Sequence, residues 1–184
     1  MKGNKIFIVT GDQGSGKTQF IKDLYEFLSL FEKDIRGFIS RKIFNDKGNK
    51  EFILRDLTSG KEISLATKIE NPEYSENQKF LFNPKALDTG NLIIEEAVID
   101  QCRILIIDEI GPYELSEKVW HNSFLRVLNK FKGYLIISVR KKMIEQVMDK
   151  YLIHEAFIED IEQTSPRKTG DAILSIMNIE HPSI

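Results

Sequence analysis

The chain opens on an apolar, largely β-branched run, Ile6-Phe7-Ile8-Val9, that stops at a glycine-rich segment. A short uninterrupted run of this kind predicts a strand buried on both faces, here Lys5–Thr10. The spacing then changes. Phe20, Leu24, Phe27, Leu28 and Phe31 recur at intervals of three and four, and predict one face of a helix over Lys17–Phe31. Ile35–Phe44, Lys50–Leu57 and Glu62–Ala66 read as extended segments separated by the turn clusters Asn45-Asp46-Lys47-Gly48-Asn49 and Thr58-Ser59-Gly60-Lys61. They predict an antiparallel meander, at about residues 35–66, inserted after the first strand–helix unit. Thr67–Lys79 is polar, contains Asn71-Pro72 and predicts a mobile loop.

Beyond it, Phe80–Phe82 predicts a short strand, and Asn83-Pro84 opens a helix through about Gln101, with Asn83 as N-cap and Pro84 at the first helical position. Arg103–Ile107 predicts a second buried strand. A helix over Glu117–Phe131, a strand over Tyr134–Val139, a helix over Lys141–Lys150, a strand near Glu155–Glu159 and a helix from about Pro166 to Met177 follow. Alternation of this kind predicts the α/β class, with a mostly parallel sheet covered by helices on both faces. At 184 residues the chain is expected to form one domain, residues 1–184.

Composition narrows the function classes. Hydrophobic residues make up 41% and charged residues 29%, as in an ordinary soluble domain. The net charge of −2 and the lack of a Lys/Arg cluster argue against nucleic acid as a partner. A single cysteine, Cys102, excludes an internal disulfide framework and predicts a buried, inert thiol at a helix-to-strand junction. No secretory leader precedes the first strand and no apolar run is long enough to span a membrane, so the expectation is a cytoplasmic protein with no membrane partner.

The chemistry is carried by the segment that ends the first strand. Gly11-Asp12-Gln13-Gly14-Ser15-Gly16-Lys17-Thr18 has the G-x4-G-K-[ST] spacing of a phosphate-binding loop, and it follows a strand and precedes a helix. Its glycines allow backbone conformations in which successive N–H groups wrap an anion. Lys17 would place a compact positive charge on the β- and γ-phosphates, and the Thr18 hydroxyl would reach Mg²⁺. The helix N-terminus favours the same anion.

Such a loop needs an acid at the tip of another strand, and Asp108 ends the run Arg103-Ile-Leu-Ile-Ile. Parallel strands bring their C-terminal ends to one rim, so Asp108 is expected beside the loop as a metal ligand. Glu109, directly after it, stands where a carboxylate orients or deprotonates the attacking water. Glu114 reads equally as an acid supporting the site and as a charge at a helix N-terminus. Asp108-x-x-Gly111 also fits an element of small GTPases, but the later strand runs into Ser138-Val139-Arg140-Lys141-Lys142 without the acid of a guanine-reading motif. For charge stabilisation in the transition state the candidates are, in order, Arg140, Arg41 and Arg167. His121, His154 and His181 show no metal-ligand spacing.

With these residues assembled, the sequence resembles the nucleoside-triphosphatase family first described from thermophiles, whose human relative is called cancer-related nucleoside-triphosphatase. The resemblance runs over most of the chain. It rests on Gly11–Thr18, on Gly37-Phe38-x-Ser40, on Asp56-Leu-Thr-Ser-Gly60 and above all on Ile106-Ile-Asp-Glu-Ile-Gly-x-x-Glu-Leu115. It implies a P-loop fold of the RecA-like type and slow, Mg²⁺-dependent hydrolysis of nucleoside triphosphates with broad base tolerance. Carried over, Gly11–Thr18 would hold the phosphates, Asp108 support the metal and Glu109 orient water. Two other readings stay open at this level. One is a nucleotide or small-metabolite kinase, for which Thr67–Lys79 would be the lid although it contains no arginine; the other is an NTP-dependent switch acting on a protein partner.

Overall fold

The computed structural model describes residues 5–44, 50–68 and 80–180. In chain order the elements are β1 (Lys5–Gly11), α1 (Lys17–Leu28), β2 (Ile35–Phe44), β3 (Lys50–Asp56), β4 (Glu62–Lys68), β5 (Phe80–Phe82), α2 (Pro84–Asp100) and β6 (Ile104–Ile107). They continue with α3 (Pro112–Leu115), α4 (His121–Lys130), β7 (Tyr134–Arg140), α5 (Ile144–Lys150), β8 (Phe157–Asp160) and α6 (Pro166–Glu180). The strands form one eight-stranded sheet in the order β5-β4-β3-β2-β6-β7-β1-β8. From β2 to β8 the pairing is parallel; β3, β4 and β5 extend the sheet antiparallel.

The apolar strands alternate between two cores, which is why they read as unbroken runs. Ile6, Ile8, Leu105, Ile107, Leu135 and Ile137 face one side, where Ile94, Trp120, Phe124 and Val147 from the α2, α4 and α5 region cover them. Phe7, Val9, Ile104, Ile106 and Ile136 face the other, against Phe20, Leu24 and Leu28 of α1 and Ile173 and Met177 of α6. Burying both faces of a parallel sheet under helices leaves its strand ends as the open edge for a site.

The antiparallel insertion differs from expectation in how it is joined. β2 belongs to both halves of the sheet. Ile35–Phe38 pairs in parallel with β6, and Phe38–Phe44 pairs antiparallel with β3. Gly37 makes this seam possible: its φ is +127°, and an added Cβ would lie 1.9 Å from the Ile106 carbonyl oxygen. β5 adds a further strand to the three expected. The Asn45–Asn49 turn lies outside the described residues, as does the predicted loop beyond Lys68 up to Lys79.

Other boundaries move by local causes. α1 ends at Leu28 rather than Phe31. The helix expected from Glu117 starts at His121, because Glu117 and Val119 take left-handed φ values of 61° and 53° and turn the chain, while Gly111-Pro112 starts the separate one-turn α3. Asn83 caps α2 as expected, its side chain accepting from the Lys85 N–H at 3.1 Å. Cys102 is buried between α2 and β6, and burial pushes its thiol up to about 12. Among the described residues, no helix is long and apolar enough to cross a membrane.

Candidate active site

The C-terminal ends of β1, β6 and β7 lie side by side, with β7 between the other two. In the register of the sheet Gly11 pairs with Arg140, and Ile107, just before Asp108, pairs with Ile137. That rim gathers the residues singled out by the sequence.

β1 runs directly into the glycine-rich turn. Gly14 and Gly16 have φ values of +82° and +101°, a conformation in which a residue with a Cβ is strained. Gly16 is the N-cap of α1, and no side chain caps the helix and no acid occupies its first turn. The N–H groups there and the helix dipole therefore favour an anion. The Ser15 hydroxyl folds back to the Asp12 carbonyl at 2.8 Å, closing the turn. Lys17 is only 6% exposed, and its Nζ donates to the carbonyls of Gly11 at 3.0 Å and Asp12 at 2.8 Å. Burial lowers its pKa, and the nearby Arg140 adds to that, while Glu109, Asp108 and Asp12 oppose it. Lys17 thus sits inside the loop rather than reaching into solvent.

Asp108 is 1% exposed and is gripped from three separate segments. Its Oδ2 accepts from the Thr18 hydroxyl at 2.8 Å and the Ser40 N–H at 3.2 Å, and its Oδ1 accepts from the Ser138 hydroxyl. Its carbonyl accepts the Ser40 hydroxyl at 2.8 Å. Burial pushes the Asp108 carboxyl up to about 6, with Glu109 adding to it and the hydroxyl donors opposing it. Among the described residues no three His, Cys, Asp or Glu side chains gather as a self-sufficient metal site. The Thr18 hydroxyl and the Asp108 carboxylate are nevertheless adjacent hard oxygen donors. They fit Mg²⁺, which takes few protein ligands and completes its shell with water and phosphate oxygens.

Glu109 follows Asp108 across a cis peptide bond and lies one-third exposed at the rim. Its Oε1 accepts from Nε of Arg140 at 2.9 Å, and Nη2 of the same guanidinium lies 2.9 Å from it as an ion pair. The structure therefore brings together Gly11–Thr18, Lys17, Thr18, Asp108, Glu109 and Arg140. It does not bring Arg41 to Glu109: that guanidinium pairs with Glu62 of β4 at 3.1 Å. Arg167 is exposed in the first turn of α6. His121 packs with Tyr151, His154 is exposed and His181 lies outside the described residues.

Two contributors escaped the sequence reading. Ser138 interrupts an otherwise apolar strand near its end, a signal that was available. Ser40 was visible only as part of the Gly37-Phe38-x-Ser40 segment, without a role. Glu114 stands in the first turn of α3, as one of its two readings has it, but it is not a solvated charge there. It is 3% exposed and beneath the rim, and burial pushes its carboxyl up to about 8 against the pull of its backbone N–H donors.

The NTPase family matches residues 6–164. Among curated proteins, the nucleoside-triphosphatase THEP1 of Archaeoglobus fulgidus is 27% identical over 172 residues, which is 92% of this chain and 96% of that protein. The nucleoside-triphosphatase THEP1 of Methanothermobacter thermautotrophicus is 27% identical over 85% of this chain and 87% of its own. That of Sulfolobus acidocaldarius is 27% identical over 83% and 84%. No solved structure matches the chain. With a phosphate-binding loop at the end of β1 and the family match spanning residues 6–164 of 184, the chain belongs to the NTPase family.

Proposed function

We propose that this protein is a Mg²⁺-dependent nucleoside-triphosphatase that converts NTPs to NDP and phosphate, slowly and with broad base tolerance. The observation that carries the reading is the single rim on which Thr18, Asp108 and Glu109 meet at the end of the glycine-rich loop. The relatives named nucleoside-triphosphatase support the reaction class.

In this mechanism the turn Gly11–Gly16 and the N-terminus of α1 bind the phosphate oxygens. Lys17 leaves its carbonyl partners for the β- and γ-phosphates. Thr18 and Asp108 hold the metal ion, which when bound supplies charge neutralisation at the phosphate oxygens. Glu109 accepts a proton from water as the water oxygen bonds to the γ-phosphorus and the bond from that phosphorus to the β–γ bridging oxygen breaks. The electron pair leaves with the NDP. Arg140 reaches the rim beside Glu109 and stabilises charge on the transferring phosphoryl group. Broad base tolerance accords with Ser138-Val139-Arg140-Lys141-Lys142 at the end of β7, which lacks the acid of a guanine-reading element. A cytoplasmic location belongs to the same reading.

The test is phosphate release from ATP, GTP, CTP and UTP with Mg²⁺ and with excess EDTA. Release from several NTPs that EDTA abolishes supports the assignment. Tight NTP binding with no release unless an acceptor is added would replace it with a kinase.

A further inference from the structure

Glu114 is a buried acid that the mechanism above leaves without a task. Its Oε2 accepts the Gly111 N–H at 2.8 Å, and its Oε1 accepts the Trp120 N–H at 3.4 Å. Those two N–H groups stand at the two ends of Gly111–Trp120, the part of the β6–α4 connection that holds α3, so the carboxyl group closes that part on itself. Trp120 is the fixed end. It is buried, stacks at a tilt on Phe38 with ring centres 4.8 Å apart, and fits so closely over Gly90 that a Cβ there would lie 2.5 Å from the indole. Tyr151 adds a second anchor by donating its hydroxyl to the Glu114 carbonyl at 2.8 Å.

Gly111 is the other end, and it touches Glu109. A Cβ on Gly111 would lie 3.1 Å from Glu109 Oε1, 3.7 Å from its Cγ and 3.8 Å from its Cδ. Between the two, Ile110 donates its N–H to the Ser138 carbonyl at 2.9 Å and is fully buried. The turn from which Glu109 projects is therefore held at Ile110 by β7 and at Gly111 by Glu114. Only a carboxyl group offers acceptors to both N–H donors; a glutamine would set its NH₂ against one of them. Glu114 is the third residue of α3, so its bond to the Gly111 N–H also closes the first turn of that helix; burying the acid is costly, and its second bond, to Trp120, ties that turn to the core.

We propose that Glu114 is a positioning residue for Glu109: by clamping the Gly111 N–H to the core-anchored Trp120, it fixes the direction in which Glu109 faces its water. This rests on the reading of Glu109 given above. Because Gly11–Thr18 lie on other elements, the clamp acts on turnover and not on NTP affinity. A misplacement of about 1 Å costs on the order of 10²-fold in rate.

The test compares Glu114→Gln in the wild-type and Glu109→Gln backgrounds, with kcat from phosphate release and affinity from the β,γ-imido analogue of ATP with Mg²⁺. The expected result is a kcat loss of roughly tenfold or more, a dissociation constant within about twofold of wild type, and no further kcat loss in the Glu109→Gln background. An equal loss in both backgrounds, or a parallel loss of affinity, overturns the proposal while leaving the hydrolase reading intact. Should Glu114→Gln fail to fold, Gly111→Ala presses on Glu109 directly and is expected to show the same split; wild-type kcat in that variant overturns the proposal. Wild-type turnover in Glu109→Gln alone would instead remove the reading on which it rests.

Discussion

Arg140 and Glu109 form an ion pair in which Nε of the arginine donates to Oε1 of the glutamate at 2.9 Å and Nη2 lies 2.9 Å from the same oxygen. The pair joins the end of β7 to the first residues after β6, with the arginine about one-fifth and the glutamate about one-third exposed. In the proposed mechanism Oε2 of Glu109 is the acceptor for a water proton. Arg140→Lys keeps the charge but loses the planar fork. Arg140→Ala is expected to reduce kcat by on the order of 10³-fold, the low end for an arginine at a transferring phosphoryl group. Arg140→Lys is expected to recover only part of it, as measured by steady-state phosphate release.

Glu109→Gln keeps the size and the acceptor toward Arg140 but cannot take a proton. Turnover should fall by roughly 10²–10⁴-fold while Mg·NTP affinity is retained. Calorimetric titration alongside phosphate release checks both halves, and turnover equal to wild type would remove Glu109 from the mechanism.

Lys17→Ala removes the cation from the interior of the loop. In the wild type, Mg·ATP at about 100 times its dissociation constant should stabilise the fold by about 2.7 kcal/mol. Thermal melts of the variant should show no such gain, and its phosphate release should vanish.

The pH dependence of stability has a definite sign at Glu114. Burial, helped by Glu109, raises its folded-state pKa from an ordinary 4.5 to about 8, while the Gly111 and Trp120 N–H groups only partly oppose this. The folded protein thus binds this proton more tightly than the unfolded chain. The contribution is fully present below the ordinary value and is lost as pH rises through the folded one. The stability difference between wild type and Glu114→Gln should therefore shift against the wild type between about pH 5 and about pH 9. Urea titrations of the two proteins across that range measure it, and a pH-independent difference would contradict the assignment.

Much of this was legible in the chain because local pattern and tertiary role coincide there. β1 and β6 are short apolar runs, each ended by residues with one structural meaning, so the sequence alone sets Gly11–Thr18, Asp108 and Glu109 on a shared rim. The rest depends on neighbours that sequence spacing does not encode. That Asp108 takes donors from Ser40 and Ser138 follows from β2 and β7 flanking β6, a strand order rather than a motif. Arg140 ends β7 while Arg41 lies within β2, and only the order and register of the strands set one beside Glu109 and the other beside Glu62. Glu114 reads equally as an acid supporting the site and as a charge at a helix start, and spacing cannot separate the two because burial of a single acid leaves no periodic trace.

The grip on Asp108 also bears on how the molecule is made. Its three side-chain partners stand 90, 68 and 30 positions away along the chain, two before it and one after. Contacts this distant form only after the loop-closure entropy between them has been overcome, so they belong to the late, non-local part of folding. During synthesis the glycine-rich loop emerges early, but the acid it works with is seated only after β7 has entered the sheet. The strand that ends in that loop pairs with β7 and β8, so the loop and the acid take their places together, with the closing of the central strands.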